Sequence, residues 1–155
     1  MSSSKYQMRR TELEISDRKK METLLVQAMT GRLGLYDGEE PYIVPVLFAY
    51  KNSHIYIHSA LEGRKIEILK HYPRTCFEVD EFLGYDPVKG FTSYQSVLCF
   101  GTVHILASND EPGYLEALEL ITQKYEPGGK LSCKEGALVL RLDVDMMTGR
   151  ERIQD

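Results

Sequence analysis

Tryptophan is absent from this 155-residue chain, and cysteine occurs only three times. No apolar run approaches the ~18 residues that a membrane span requires. No block of basic residues exists either, since 19 Lys and Arg stand against 23 Asp and Glu for a net charge of −4. That balance argues against general binding to nucleic acid or to an anionic membrane, although a local basic patch for a small phosphate is still allowed. The three thiols, Cys76, Cys99 and Cys133, are odd in number and widely spaced. They form neither a disulfide framework nor a zinc pattern, and they read as ordinary thiols of a reducing compartment. The first ten residues hold no apolar stretch of the kind a secretory signal needs, so a cytoplasmic protein is expected. No G-x-G-x-x-G and no G-x-S-x-G occurs, which removes a dinucleotide-binding domain and a nucleophile elbow. The histidines make no metal-ligand cluster: His54 and His58 share a strand face but lie about 13 Å apart by strand rise.

The chain does contain enough apolar residues, 43%, to build one core without staples. A single domain over 1–155 is expected, with residues 1–7 a loose lead-in. Met21, Leu24, Leu25, Ala28 and Met29 recur at helical spacing, with Ser16 or Asp17 as cap and Gly31 as stop. A strand over 32–36 leads to the turn signal Asp37-Gly38. Residues 41–50 are apolar on both alternating faces, so this strand needs cover on both sides, and a partner subunit can supply the second. Pro45 within it lacks a ladder donor, which points to an edge position or a bulge. A turn at 51–53 precedes a strand over 54–59, with Ile55 and Ile57 on one face and Tyr56 and His58 on the other. A short helix runs over 64–72 and stops at Pro73.

Further strands are expected over 74–80, 94–107 and 137–144, with Gly101 marking a bend. The stretch 81–92 reads as a loop, and Thr148-Gly149-Arg150 reads as the start of a polar tail. A second amphipathic helix over 111–125 has Leu115, Leu118, Leu120 and Ile121 as its apolar residues. Hairpin links dominate this order, which predicts a mainly β, six-stranded antiparallel barrel with flanking helices.

Two stretches carry chemistry. His58-Ser59-Ala60-Leu61-Glu62-Gly63-Arg64-Lys65 joins a strand to a helix start, and combines free N–H groups, a hydroxyl, a flexible glycine and two cations. That is either an anion site or an ordinary capped helix with two solvated cations. His58 can serve as a proton donor or ligand contact, or can be a half-buried histidine satisfied by a neighbour. Tyr94-Gln95-Ser96, with Ser93 before it, can hydrogen-bond a flat polar ring or a phosphate, or can be plain turn polarity. Phe82, Tyr85 and Phe91 can wall a pocket or fold onto the core.

An ordered set of motifs then carries a resemblance. Met8-Arg9-Arg10, Gly31-Arg32-Leu33, Pro41-Tyr42-Ile43-Val44-Pro45-Val46, Ile57-His58-Ser59-Ala60 with Gly63-Arg64-Lys65, Cys76 to Asp80, and Tyr94-x-Ser96-Val97 follow one another along nearly the whole chain. In this order they resemble the pyridoxamine 5′-phosphate oxidase-like flavin-binding split barrels, and within them the nitroimidazole-resistance (Nim) subgroup. The resemblance implies a homodimer with FMN, or FAD, in clefts between subunits. It implies that Val44, Pro45, Val46 and Phe48 lie along the isoalloxazine ring. It places Ile57, His58, Ser59 and Ala60 beside the flavin, and Gly63, Arg64 and Lys65 near its phosphate. Tyr94, Gln95 and Ser96 would form the opposite wall, with His58 as the catalytic histidine. Gln95 stands where the family commonly has Arg, and Arg150 where it frequently has Lys.

The activity so implied is flavin-dependent reduction of a small organic molecule, a nitroimidazole-type compound being the candidate. The alternatives are a flavin- or haem-binding module without turnover, a pyridoxamine-phosphate-oxidase-like enzyme, or a dimeric interaction protein with a vestigial pocket.

Overall fold

In the computed structural model, residues 4–129 and 137–154 are described; Cys133 falls outside them. Asp17 caps the first helix, α1 (Arg18–Gln27), and its carboxylate accepts from the Lys19 N–H at 2.9 Å. The helix closes at Ala28 rather than at Gly31, because Gly31 already opens the first strand. There follow β1 (Gly31–Tyr36), β2 (Pro41–Val46), β3 (Ala49–Lys51), β4 (His54–Ser59), α2 (Arg64–His71), β5 (Arg74–Asp86), β6 (Phe91–Leu106), α3 (Tyr114–Tyr125) and β7 (Leu138–Arg152).

The seven strands form one sheet in the order β2-β1-β5-β6-β7-β4-β3, antiparallel at every pairing. The two edge strands, β2 and β3, are consecutive in sequence and separated only by Leu47 and Phe48. So short a link spans about 11 Å at full extension, which forces the sheet to curl until its edges meet. The result is a split barrel. The count is seven strands rather than six because the expected strand over 41–50 breaks at Leu47-Phe48. Pro45 does lie on an edge strand, where its missing N–H costs no ladder bond.

Two expected irregular stretches are strand instead. β5 runs on to Asp86 and pairs with β6 through Asp86↔Phe91, with a bulge between Phe82 and Gly84. β7 runs on to Arg152, pairing Ser96↔Arg150, so 148–150 is ladder and not tail. Both were hidden by glycines that mark bulges and close approaches inside strands, not their ends. Gly101 sits at a β6 bulge, and a Cβ there would come within 2.0 Å of the Asp143 carbonyl oxygen.

Phe48, Phe77, Leu33, Ile55, Ile57, Leu140 and Leu142 fill the barrel, and Met21, Leu24 and Leu25 of α1 join them. A second cluster forms where α3 lies over β4 and β7, with Tyr56, Tyr114, Ala117 and Leu118. Leu118 packs as expected, and Leu120 and Ile121 pack partly, whereas Leu115 stays exposed. β4 is therefore covered on both faces until His58, which is exposed. In the lead-in, Tyr6 forms part of a short 3-10 turn and rests on Phe100, ring centroids 4.9 Å apart. No helix among the described residues is long and apolar enough to cross a membrane.

The end of α3 ties the seam shut. The Tyr125 hydroxyl accepts from the Phe48 N–H at 3.0 Å and lies 2.9 Å from the Met29 carbonyl oxygen. Lys124 Nζ donates to the Ala28 carbonyl at 2.6 Å and stands 4.0 Å over the Phe48 ring.

Phe77 is fully buried and meets Phe48 edge-on at 4.7 Å between centroids. Replacing it by alanine should cost about 3–5 kcal/mol, read by urea denaturation. A loss below ~1.5 kcal/mol would mean that the two rings do not hold the seam. Burial pushes the Lys124 ammonium down to about 8. The unfolded chain holds that proton more tightly, so stability should rise with pH from about 8 toward 10 and carry the full penalty below that window. Lys124→Met should flatten this rise; an unchanged slope would locate it elsewhere.

Candidate functional site

The strand β4 ends by placing four unlike groups in sequence. His58 is exposed and, among the described residues, has no ion pair or side-chain hydrogen bond. Ser59 is buried, its hydroxyl donating to the Ala60 carbonyl at 3.2 Å. Gly63 occupies the cap position of α2 with φ 134° and ψ 168°, and no side chain caps the helix. That φ favours glycine, and open space lies where its Cβ would be. The first-turn N–H groups of α2 thus lack a side-chain acceptor and carry the positive end of the helix dipole.

The two cations that follow are not alike. Arg64 is already engaged: it donates to Glu40 at 2.8 Å and to Asp37 at 3.5 Å, with its guanidinium 4.6 Å over the Tyr42 ring. Asp37 itself is fixed by the N–H groups of Glu40 and Glu39, which hold its carboxyl below the usual range. Lys65 is half-buried and, among the described residues, pairs with no carboxylate. Burial alone lowers its ammonium from the ordinary lysine value. An unpaired cation beside an uncapped helix start is an arrangement that an anion relieves.

The proposed ring-contact strand is mixed. Pro45 is exposed and Val44 half-buried, whereas Val46 and Ile57 are buried and Phe48 is wholly inside. The Phe48 N–H is moreover taken by Tyr125. The outward side of β2 is apolar and bare, with Ile43 67% and the following Leu47 53% exposed.

Tyr94, Gln95 and Ser96 are half-buried and stand apart from the His58 group. His58 faces Val139 on β7, while Ser96 faces Arg150 eleven residues further along the same strand. That is about 36 Å of strand. One chain does not bring the two groups to one ligand. The Gln95 amide donates to Glu81 at 2.8 Å, and the Tyr94 ring lies 5.5 Å under the Arg150 guanidinium. Phe82 and Tyr85 are exposed, and Phe91 lies 4.2 Å under Arg152.

Two grooves fall on surfaces that sequence reasoning reached only in part, through Tyr42 and Ile43 in one and Ser96 in the other. One, of about 750 Å³, runs between Tyr36, Tyr42 and Ile43 on one side and Arg74, Cys76 and Phe100 on the other. The other, about 380 Å³, lies beside it over β6 and β7. Tyr6 lines both. Neither includes His58 or Lys65. Nothing local in the sequence marked their shape, because they arise where the lead-in lies across strands distant in the chain. His54 and His104 both reach Asp143, at 3.4 and 3.1 Å, where Arg141 also pairs with it.

Comparison with known proteins gives a consistent family. Residues 17–151 match the family described as pyridoxamine 5′-phosphate oxidase. A candidate 5-nitroimidazole antibiotic resistance protein from Bacteroides thetaiotaomicron is 29% identical, with TM-score 0.77 over 90% of this chain and 86% of that one. A FAD-binding protein from Mesorhizobium loti is 26% identical, with TM-score 0.68 over 88% and 96% of the two chains. An uncharacterized protein of Rhizobium meliloti is 23% identical over 149 residues, 89% of this chain and 94% of its own. With a seven-stranded split barrel and a family match over most of its length, the chain belongs to the pyridoxamine 5′-phosphate oxidase family.

Proposed function

We propose that this protein is a flavin-dependent oxidoreductase that reduces a small organic molecule, with a nitroimidazole-type compound as the candidate substrate. The observation that carries the reading is Lys65, a half-buried cation without a carboxylate beside the uncapped start of α2. These groups suit the terminal phosphate of FMN. Gly63, open on its Cβ side, lets that phosphate approach the backbone closely. Bound flavin would supply reversible two-electron chemistry that no side chain here possesses. The bare apolar side of β2 offers the ring a flat wall, and the edge strand leaves backbone groups unpaired. His58 projects at the end of β4 where it can hand a proton to a substrate atom.

The functional unit in this reading is a homodimer. The separation between His58 and Ser96 along β7 is the support, since Tyr94, Gln95 and Ser96 would complete the cleft of the other subunit. The same dimer would cover the bare face of β2.

An absorbance spectrum of the purified protein, with mass spectrometry of any released cofactor, tests the core of the reading. A colourless protein that binds neither added FMN nor added FAD overturns it. Lys65→Met should weaken FMN binding tenfold or more, as loss of one charge-assisted contact does. Glu40→Gln should tighten it, by freeing Arg64 from its internal partner. His58→Ala should retain the flavin but slow reoxidation by 2-methyl-5-nitroimidazole a hundredfold. One observation favours a second reading, a flavin-binding module without turnover: no neighbour among the described residues fixes the His58 ring. Flavin that binds but is never reoxidised by the nitro compound would select that reading.

A further inference from the structure

The turn between β1 and β2 is built to hold the first cation of α2. The Asp37 carboxylate accepts from the N–H groups of Glu39 at 2.9 Å and Glu40 at 2.7 Å, and the Asp37 N–H donates to the Glu40 carbonyl at 3.2 Å. The Tyr36 hydroxyl donates to the Gly38 carbonyl at 2.8 Å. Tyr72, just past the end of α2, lies so close to Gly38 that a Cβ there would collide with its hydroxyl. From this braced turn two carboxylates reach Arg64, the first residue of α2: Glu40 at 2.8 Å and Asp37 at 3.5 Å. The Tyr42 ring lies 4.6 Å from the same guanidinium. An exposed ion pair is weak when both partners must be ordered to form it, but here Asp37 is already fixed by its own turn. Lys65, the next residue, has no carboxylate among the described residues. The start of α2 thus carries one engaged cation and one without a partner.

That inequality distinguishes phosphates by charge. FMN ends in a phosphate monoester, which is close to doubly charged at neutral pH because its second proton leaves near pH ~6. In FAD the same phosphate is a diester and carries a single charge. One ammonium and the positive end of a helix balance one charge, and a second charge calls for a second cation. Arg64 can supply it only by leaving Glu40 and Asp37, whose carboxylates then stand near the phosphate unpaired. We propose that the β1–β2 turn is the flavin-selecting element of this site: by holding Arg64, Glu40 and Asp37 cancel the advantage of the doubly charged phosphate of FMN, and the site takes FAD as readily. This selection rests on the flavin reading above. Arg64 binds no phosphate in it; the turn acts by withholding that side chain.

The test is isothermal titration of the full chain with riboflavin, FMN and FAD. Both phosphorylated flavins should bind more tightly than riboflavin, with FMN ahead of FAD by less than about threefold. Glu40→Gln should raise the ratio of FMN to FAD affinity about fivefold or more, as a released guanidinium gains a charge-assisted contact with the dianion. Adding Arg64→Met to that variant should return the ratio to its wild-type value. Glu40 and Arg64 are exposed, so these changes should leave the melting temperature unaltered. A wild-type preference for FMN above threefold overturns the proposal, and so does a ratio that Glu40→Gln leaves unmoved. A raised ratio that persists without Arg64 also overturns it, because the carboxylate would then act on the phosphate directly. In these three outcomes flavin still binds, and the function proposed above stands. A protein that binds none of the three flavins removes that function and this selection together.

Discussion

The two-residue link between β2 and β3 is the constraint on which the molecule depends. Five strands separate these edges by one route, and Leu47 with Phe48 joins them by the other. The sheet therefore cannot open without pulling Phe48 from the core. That ring is fully buried against Phe77, and its backbone N–H is held by Tyr125. A buried aromatic pair of this kind is worth more than its area alone. Closure also explains the mixed surroundings of β2. The strand shows its inner side to the core through Val46 and leaves its outer side, with Ile43, in the open.

Closure also decides where chemistry can sit. Both ends of β7 become rims of the barrel, and each rim carries a different set of polar groups. At the β4 rim, a cation stays free because its neighbour is occupied: Glu40 and Asp37 take Arg64, and Lys65 is left over. At the β6 rim, Gln95 is taken by Glu81, while Arg150 keeps an unpaired nitrogen. In each case one polar side chain is held in place by an internal partner, and the one beside it has none among the described residues.

Much of this was legible in the residues. Pro45 marked an edge position or a bulge and lies on an edge strand, and His58 to Lys65 marked a strand end leading into a helix start. The failures share a cause. Gly84 and Gly149 fell in stretches read as loop and tail, yet they lie inside strands, at a bulge and at a close approach, whereas Gly101 sits at the bend expected of it. At Gly149, for example, a Cβ would meet Met21 and Ile15 within 3.0 Å. A local pattern cannot tell a glycine that ends a strand from one that lets another element approach it. The grooves were invisible for a related reason. Tyr6 and Phe100 meet only because the barrel carries β6 beneath the lead-in.

The pairing of cations gives the site its sharpest outline. Some half-buried cations find a carboxylate, as Arg32 does on Asp80 and Arg141 on Asp143. Removing a cation from water without such a partner is unfavourable, and folding tolerates it where another group compensates. For Lys124 the compensation is internal, through the Ala28 carbonyl and the Phe48 ring, and its product is a closed seam. Lys65 has no internal compensation among the described residues, and Arg150 has only the face of Tyr94. A charge that the fold half-buries and does not satisfy is most stable when something outside the chain satisfies it. The same accounting that identifies Lys124 as structural is what supports the proposed phosphate contact at Lys65, beside a helix start that no side chain caps.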